Sequence, residues 1–442
     1  MASERTYLLG PLERRSLIAG WRVGQVVAVG VACVGAGGVL WISTSFAALG
    51  AVVVIIALGL FAASWPVRGR TIDEWVPAFW AHLRRRGRRQ LLNVEIRDGA
   101  DFGIDGGIGM VLTRTGEISI TMALDSTGIA LLDPAARDRR VAGLIEALEV
   151  LAREGAIVDR VAWCAWSAPE PIGGFSSDLR RRGSQGDPWA LENYRDLLAE
   201  VCHEGLSRRV TLTLRSAKGS SASARNRLVE EARLVASALE NSGHRPCRFL
   251  GADELQDVIS GRLGGAMPPG SDGSSLEIWA RSSLRFIESD RQKSISWWIE
   301  GWPRQEASAE LLAPLLLGSL GRSMAVVFEP IAPSIALRKA ASARTSREAD
   351  AELRRRGGFL VDRRSQAQAS HLAEREAELV DGHGSLRLCG YLAVSSRDSG
   401  ELGNLAAETE LAAAQAHLAL RRLDGDHGRG LLAVMPLGGG LP

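Results

Sequence analysis

Lysine is scarce in this sequence, and so are the patterns that common catalytic sites require. Of the 53 basic residues only three are lysines, Lys218, Lys293 and Lys339, and none of them follows a glycine. A P-loop needs a Gly-Lys pair because the lysine ammonium reaches the β- and γ-phosphates of the nucleotide. The sequence therefore excludes a P-loop ATPase.

Cysteine and histidine are also few, with 5 and 7 residues in a chain of 442. The cysteines are far apart and form no C-x-x-C pair: Cys33, Cys164, Cys202, Cys247 and Cys389. Such spacing is typical of buried thiols in a reducing compartment. The histidines show no H-x-x-x-H spacing, so the sequence contains no sign of a zinc site. We therefore predict no catalytic, cofactor-binding or metal-binding residue, no cofactor, and no enzyme activity.

Length and charge indicate a folded protein with more than one globular unit. A chain of 442 residues predicts two or three units, and 24% charged with 46% apolar residues is the balance of a folded protein. A net charge of +2 is too small for a chain that coats nucleic acid. We expect no sequence-specific binding of nucleic acid.

Two apolar segments near the N-terminus predict a transmembrane helical hairpin within residues 1–66. Residues 23–42 and 46–65 contain no charged side chain. As a helix each segment would span about 30 Å, the thickness of a hydrocarbon core. Only Ser43, Thr44 and Ser45 separate the two segments, so both outer ends would leave the lipid bilayer on the same side.

The arginines on either side of this hairpin predict its orientation. Arg5, Arg14, Arg15 and Arg22 precede the first segment, a larger arginine group follows the second from Arg68 onwards, and the turn has none. The positive-inside rule then places both termini and the main body in the cytoplasm. The expected localisation is the inner or plasma membrane, with two passes.

Residues 67–100 predict an amphipathic, basic juxtamembrane helix and a linker. Apolar residues recur at helical spacing over 70–89, from Ile72 to Leu83, and arginines follow at the end. Two interpretations stay open. The aromatic face lies on the inner leaflet, or it packs against the body of the protein.

Beyond residue 100 the pattern is α/β (α+β). Apolar residues alternate over 108–123 around Gly116, which predicts a hairpin of two strands, and helical and strand patterns then alternate to a final predicted strand at 430–437. A Gly/Pro/Ser segment at 263–275 predicts a linker between a first subdomain, 101–262, and a second, 276–442. Units of this size favour two ferredoxin-like α/β halves.

Several polar groups could form a site, and the sequence pattern favours a structural role for each. Charged residues over 350–378 are typical of a solvated helix face, and a lone acid/base pair without partners is usually a surface group. Trp297 and Trp298 are expected on opposite faces of a strand, with one ring available to a partner. A structural role is also favoured for Arg180 to Arg182, His203 with Glu204, Asp381 to His383, and Gly438 to Gly440.

Short motifs along the chain resemble a known family. YLLGPLERR (7–15) and GRTIDEW (69–75) on either side of the apolar segments resemble the PrgI-like two-span membrane proteins of actinobacterial conjugation and type IV secretion-like loci. EGWPR (300–304), LLAPLLLGSL (311–320), EPIAP (329–333), ART (343–345), REAELVDGH (375–383), LCGYLAVS (388–395) and LLAVMPLGGGL (431–441) resemble a membrane-protein family of the same loci. The body is similar to the non-catalytic N-terminal half of the large conjugation ATPase.

The resemblance implies a non-enzymatic inner-membrane scaffold that docks a separate cytoplasmic P-loop ATPase to the membrane complex. Its partners would be that ATPase and other subunits of a hetero-oligomer. An alternative is an EccE-like membrane component of a type VII secretion system. A third reading is an enzyme at the cytoplasmic leaflet with an unrecognised site.

Overall fold

The computed structural model describes residues 23–42, 45–64, 88–104, 107–124, 132–169, 189, 192–193, 206–218, 221–244, 247–263, 275–289, 292–303, 310–316, 322–356, 377, 379 and 384–439. The strands are β1 (Arg88–Asp98), β2 (Gly109–Thr113), β3 (Ile118–Leu124), β4 (Arg160–Pro169), β5 (Leu206–Ser216), β6 (Arg248–Phe249), β7 (Ser275–Ser282), β8 (Ile287–Ser289), β9 (Lys293–Gly301), β10 (Arg322–Ile331), β11 (Ser385–Ser396) and β12 (Ala419–Arg422). The helices are α1 (Val23–Ile42), α2 (Phe46–Ser64), α3 (Pro134–Glu149), α4 (Ala222–Asn241), α5 (Ala252–Leu263), α6 (Ala313–Leu316), α7 (Pro333–Arg356), α8 (Ser399–Gln415) and α9 (His427–Ala433).

Ten of the strands form one closed ring. Their order is β11, β10, β4, β5, β3, β2, β1, β7, β8 and β9, and β9 pairs with β11 to close the ring. Every pair is antiparallel, and the short strands β6 and β12 extend the edges of β3 and β9. The prediction of two ferredoxin-like halves is therefore wrong. Strand pairing continues across the expected boundary, because β1 pairs with β7 and β4 with β10.

Alternation along the strands separates the inside of the ring from its outside. On β7 the inward side chains of Leu276, Ile278 and Ala280 are buried, whereas the intervening Glu277 and Trp279 are exposed. A strand with a period of two places alternate residues on opposite faces of the sheet. The inward residues form one cluster with α5 and the segment from Leu423 to Leu437. The inside of the ring is therefore a packed core.

Helices cover two regions of the outer face. Leu148 of α3, and Leu228 and Leu239 of α4, pack on the outward residues of β2 to β5. On the opposite side, α8 packs against outward residues of β9, β10 and β11. Each of these longer helices begins at a capping side chain, because Asp133, Ser221 and Asp398 accept backbone N–H groups.

The ring consists of two units with the same order of elements. The first unit, residues 88–263, runs β1, β2, β3, α3, β4, β5, α4, β6, α5. The second unit, residues 275–437, runs β7, β8, β9, α6, β10, β11, α8, β12, α9, with α7 added between β10 and β11. The pairings within one unit recur in the other, so β3 pairs with β2, β5 and β6 as β9 pairs with β8, β11 and β12.

Individual hydrogen bonds support this equivalence. The amide of Leu250 donates to the carbonyl of Thr121 at 3.0 Å, and the amide of Leu423 donates to the carbonyl of Ser296 at 3.0 Å. In both units the acceptor lies on the third strand and the donor beside the short terminal strand. The strands that join the units, β1 with β7 and β4 with β10, are also equivalent to one another. The arrangement is that of an internal twofold axis.

Helices α1 and α2 pack against each other at the N-terminus. Among the described residues, no helix combines the length and apolarity needed to cross a membrane. This finding contradicts the predicted transmembrane hairpin, the two-pass topology and the membrane localisation.

Two further expectations differ from the structure. The predicted strand at 430–437 is helix α9 followed by a turn. An apolar run that is buried on all sides carries no period by which strand and helix can be told apart. Strand β1 begins at Arg88, at the end of the segment predicted as an amphipathic helix; residues 70–87 of that segment lie outside the described ones.

Candidate functional site

Polar side chains inside the ring surround the segment that follows α9. Three consecutive carbonyls of this segment accept hydrogen bonds from three side chains of the first unit. Arg262 Nη1 donates to Val434 at 2.8 Å, Cys164 Sγ donates to Met435 at 3.6 Å, and Thr121 Oγ1 donates to Pro436 at 3.3 Å. A buried carbonyl without a donor is costly, so these contacts fix the path of the segment.

Arg262 and Cys164 meet inside the ring beside Trp166. The Arg262 guanidinium lies over the indole of Trp166, 4.4 Å from the ring centroid, which favours a cation at this position. Burial lowers the pKa of Arg262 to about 10, so the group stays charged at neutral pH. Burial raises the pKa of the Cys164 thiol to about 12. A thiol that keeps its proton donates a hydrogen bond but is a poor nucleophile.

A serine, a histidine and an aspartate come together at the start of α9. The amide of Ser296 donates to Nδ1 of His427 at 3.2 Å, and His427 Nε2 lies 3.8 Å from Asp424 Oδ1. Because Nδ1 accepts this amide, a neutral ring carries its proton on Nε2, facing the carboxylate. No local spacing in the sequence indicates this group, because the three residues are up to 131 positions apart.

This group lacks the geometry of a nucleophilic triad. In a nucleophilic triad the serine hydroxyl hydrogen-bonds to the imidazole ring. Here Ser296 Oγ donates instead to the backbone carbonyl of His427 at 3.0 Å. Ser296 and His427 are fully buried, and Asp424 is 4% exposed. A Cβ at Gly430 would collide with Ser296 Oγ and Leu423. The group therefore fastens α9 to β9, and its close packing leaves a substrate no access.

Other charged side chains connect strands and loops. Glu329 accepts Arg160 at 2.8 Å across neighbouring strands, and Arg215 contacts Asp159 at 2.6 Å. Glu231 is 3% exposed, and it accepts the amides of Ile157 and Val158 at 3.1–3.2 Å. Within the described ranges, no three side chains of His, Cys, Asp or Glu are placed to hold a metal ion.

The candidate residues named from the sequence do not come together in the described part of the chain. Trp297 and Trp298 point to opposite faces; Trp297 is 1% exposed and donates to Glu410 at 3.0 Å, and Trp298 packs beside the inner core. Gly438 has a left-handed φ of 66° and lies against Arg215. The groups at 180–182, 203–204 and 381–383 lie outside the described residues, and so do the side chains at 350–356.

Comparison with known proteins gives no relative to guide the interpretation of this geometry. No protein-family model matches the sequence, and no curated protein matches it.

Proposed function

We propose that the chain is a non-enzymatic scaffold subunit of a conjugation or type IV secretion-like machine, and that it binds a separate P-loop ATPase. The motifs that resemble the PrgI-like family favour this role. The structural observation that supports it is the filled inside of the ring. In small closed sheets the inside or its mouth is a common place for a ligand, and here the segment from Leu423 to Leu437 occupies it.

Helix α7 is the surface that we assign to the partner. It has 24 residues, about 36 Å in length, and among its described side chains only Ala336 is buried. Its first turn is held to the body, where the amide of Ser334 donates to Glu154 Oε1 at 2.9 Å. A long helix that is polar all round commonly bridges to another body.

The charge of α7 favours an acidic partner surface. Its sequence contains seven basic and three acidic residues, a net charge of +4. The acidic side chains between the arginines favour a protein surface of mixed charge over a continuous row of phosphates. Ile335 and Leu337 are 42% and 39% exposed near its start and add apolar contact area.

The test is capture of the ATPase encoded in the same gene cluster by the tagged, full-length protein. A variant with Arg338→Glu, Lys339→Glu and Arg344→Glu should capture at least tenfold less, and wild-type capture should weaken with salt. The control carries Arg114→Glu in the turn between β2 and β3 and Arg281→Glu on the outer face of β7, and it should capture as wild type does.

Three outcomes would count against the proposal. No capture by the wild-type protein contradicts the docking role, and equal capture by the α7 variant contradicts the assigned surface. ATP hydrolysis that stays with the protein through purification contradicts a scaffold without enzyme activity. Capture of a type VII secretion ATPase instead would support the EccE-like alternative.

A further inference from the structure

The two units of the ring meet at two junctions, and each junction joins equivalent strands. At one junction β1 pairs with β7, with Leu92 opposite Ile278 and Asn93 opposite Glu277. At the other β4 pairs with β10, with Cys164 opposite Ala325. Antiparallel pairing of one strand with its own equivalent is the geometry of an isologous contact in a symmetric dimer.

Each unit by itself has two open strand edges. Without the second unit, the edges of β1 and β4 would expose unpaired N–H and C=O groups, and such edges pair readily with a complementary strand. The complementary strands are those of a second unit. Because any second unit of this sequence carries them, the partner need not belong to the same chain.

The contacts inside the ring also join the first unit to the second. Arg262, Cys164 and Thr121 of the first unit hold carbonyls of Val434 to Pro436 of the second. These contacts depend on the presence of both units and not on their covalent connection. The connection itself is residues 264–274, GGAMPPGSDGS, a composition typical of a linker and not of a folding element.

We propose that two copies of this chain exchange units, so that the first unit of one copy closes a ring with the second unit of the other. The partner is thus a second copy of this protein, and the binding surfaces are the strand edges β1, β4, β7 and β10. Each ring in the exchanged dimer keeps the hydrogen bonds of the monomer. Exchange of identical elements is a low-cost route to a dimer. The proposal is independent of the scaffold role.

Disulfide cross-linking across the junctions tests the exchange. The full-length chain would first have its five cysteines replaced by alanine. One junction variant adds Asn93→Cys and Glu277→Cys, whose native side chains hydrogen-bond at 2.8 Å. A second junction variant retains Cys164 and adds Ala325→Cys. The control adds Ser167→Cys and Arg208→Cys, which are opposite each other on β4 and β5 within the first unit.

Each protein would be unfolded in guanidinium and refolded under reducing conditions at two concentrations a hundredfold apart. The dimer fraction would be isolated, oxidised, and run on a denaturing gel without reductant. We expect the fraction of the protein that is dimeric to be at least tenfold larger at the higher concentration. In that dimer the junction variants should form covalent dimers, whereas the control should cross-link within one chain and run as a monomer.

Two results would overturn the proposal. A dimer whose junction cysteines cross-link within one chain is held by some other surface. Absence of a dimer at the higher concentration means that the units do not exchange. The two junction variants report independently, so failure of one to fold leaves the test intact.

Discussion

His417 occupies the position in the second unit that Gly243 occupies in the first. Each lies after the helix that covers its own unit, and both have left-handed backbones, with φ of 53° and 89°. The next residue closes the helix in the same way, since His244 donates to Leu239 at 3.1 Å and Leu418 to Ala413 at 2.9 Å. This arrangement is the Schellman ending, in which glycine is the preferred residue.

Replacing His417 with glycine should stabilise the protein. A residue with a side chain and a left-handed backbone costs the folded state about 1 kcal/mol. Glycine avoids this cost, but its greater freedom in the unfolded chain offsets part of the gain. We expect His417→Gly to raise the free energy of unfolding by about 0.5 kcal/mol in denaturant titrations. The matched change Gly243→Ala should lower it by about 1 kcal/mol. Destabilisation by His417→Gly would mean that the imidazole makes a contact worth more than the strain.

The segment inside the ring should be as important for stability as any strand. Leu431 is 2% exposed and packs in the inner core. Leu431→Ala should lower the free energy of unfolding by about 2–5 kcal/mol, the cost of a cavity at a buried leucine. Leu411 on the outside of α8 is 63% exposed, and Leu411→Ala should change stability by less than about 0.5 kcal/mol. Equal effects would contradict the buried position of the segment.

The Cys164 thiol should make the protein sensitive to alkaline pH. Burial raises the pKa of this thiol to about 12, whereas in the unfolded chain it ionises near its ordinary value. The folded state therefore binds more protons between those two values, and its stability falls as the pH rises through this range.

Between pH 8 and pH 10.5 the loss attributable to Cys164 should be about 2 kcal/mol. Denaturant titrations of the wild type and of Cys164→Ala, with reductant present, would measure it as the difference between their two pH slopes. Leu411 is exposed and carries no ionisable group, so Leu411→Ala should keep the wild-type slope. If Cys164→Ala also keeps it, the Cys164 thiol is not shielded from solvent in the folded state.

Ser296 should not react with probes of serine hydrolases. A fluorophosphonate needs an accessible hydroxyl that a base activates, and Ser296 Oγ is buried and bonded to a carbonyl. We expect no label on this residue in the folded protein by mass spectrometry. Ser296→Ala should instead cost about 1–3 kcal/mol of stability, because the His427 carbonyl loses its donor. Labelling of Ser296 that requires His427 would revive an enzymatic role.

Helices and strands could be predicted from the sequence wherever a few neighbouring residues specify them. The hairpin around Gly116 is confirmed as β2 and β3, because alternation over a few residues and one left-handed glycine specify it. The start of α3 at Pro134 is equally local, since a capping carboxylate at Asp133 and a proline mark its first turn.

Closure of the ring could not be predicted, because it depends on partners far apart in the chain. Asn93 bonds to Glu277 across 184 positions, and Thr121 bonds to the carbonyl of Pro436 across 315. The equivalence of the two units was hidden for a different reason. It lies in backbone hydrogen bonds, while the residues at equivalent positions differ, as Thr121 differs from Ser296 and Gly243 from His417.

The position of α9 inside the ring has a consequence for synthesis on the ribosome. Residues 427–437 follow all twelve strands in the order of the chain, yet they fill the space that β1 to β5 enclose on one side. Until they arrive, the first unit has an apolar concave face and two unpaired edges, and pairings of such long sequence separation form slowly. The nascent chain should therefore need protection by a chaperone until residues 427–437 have left the ribosome.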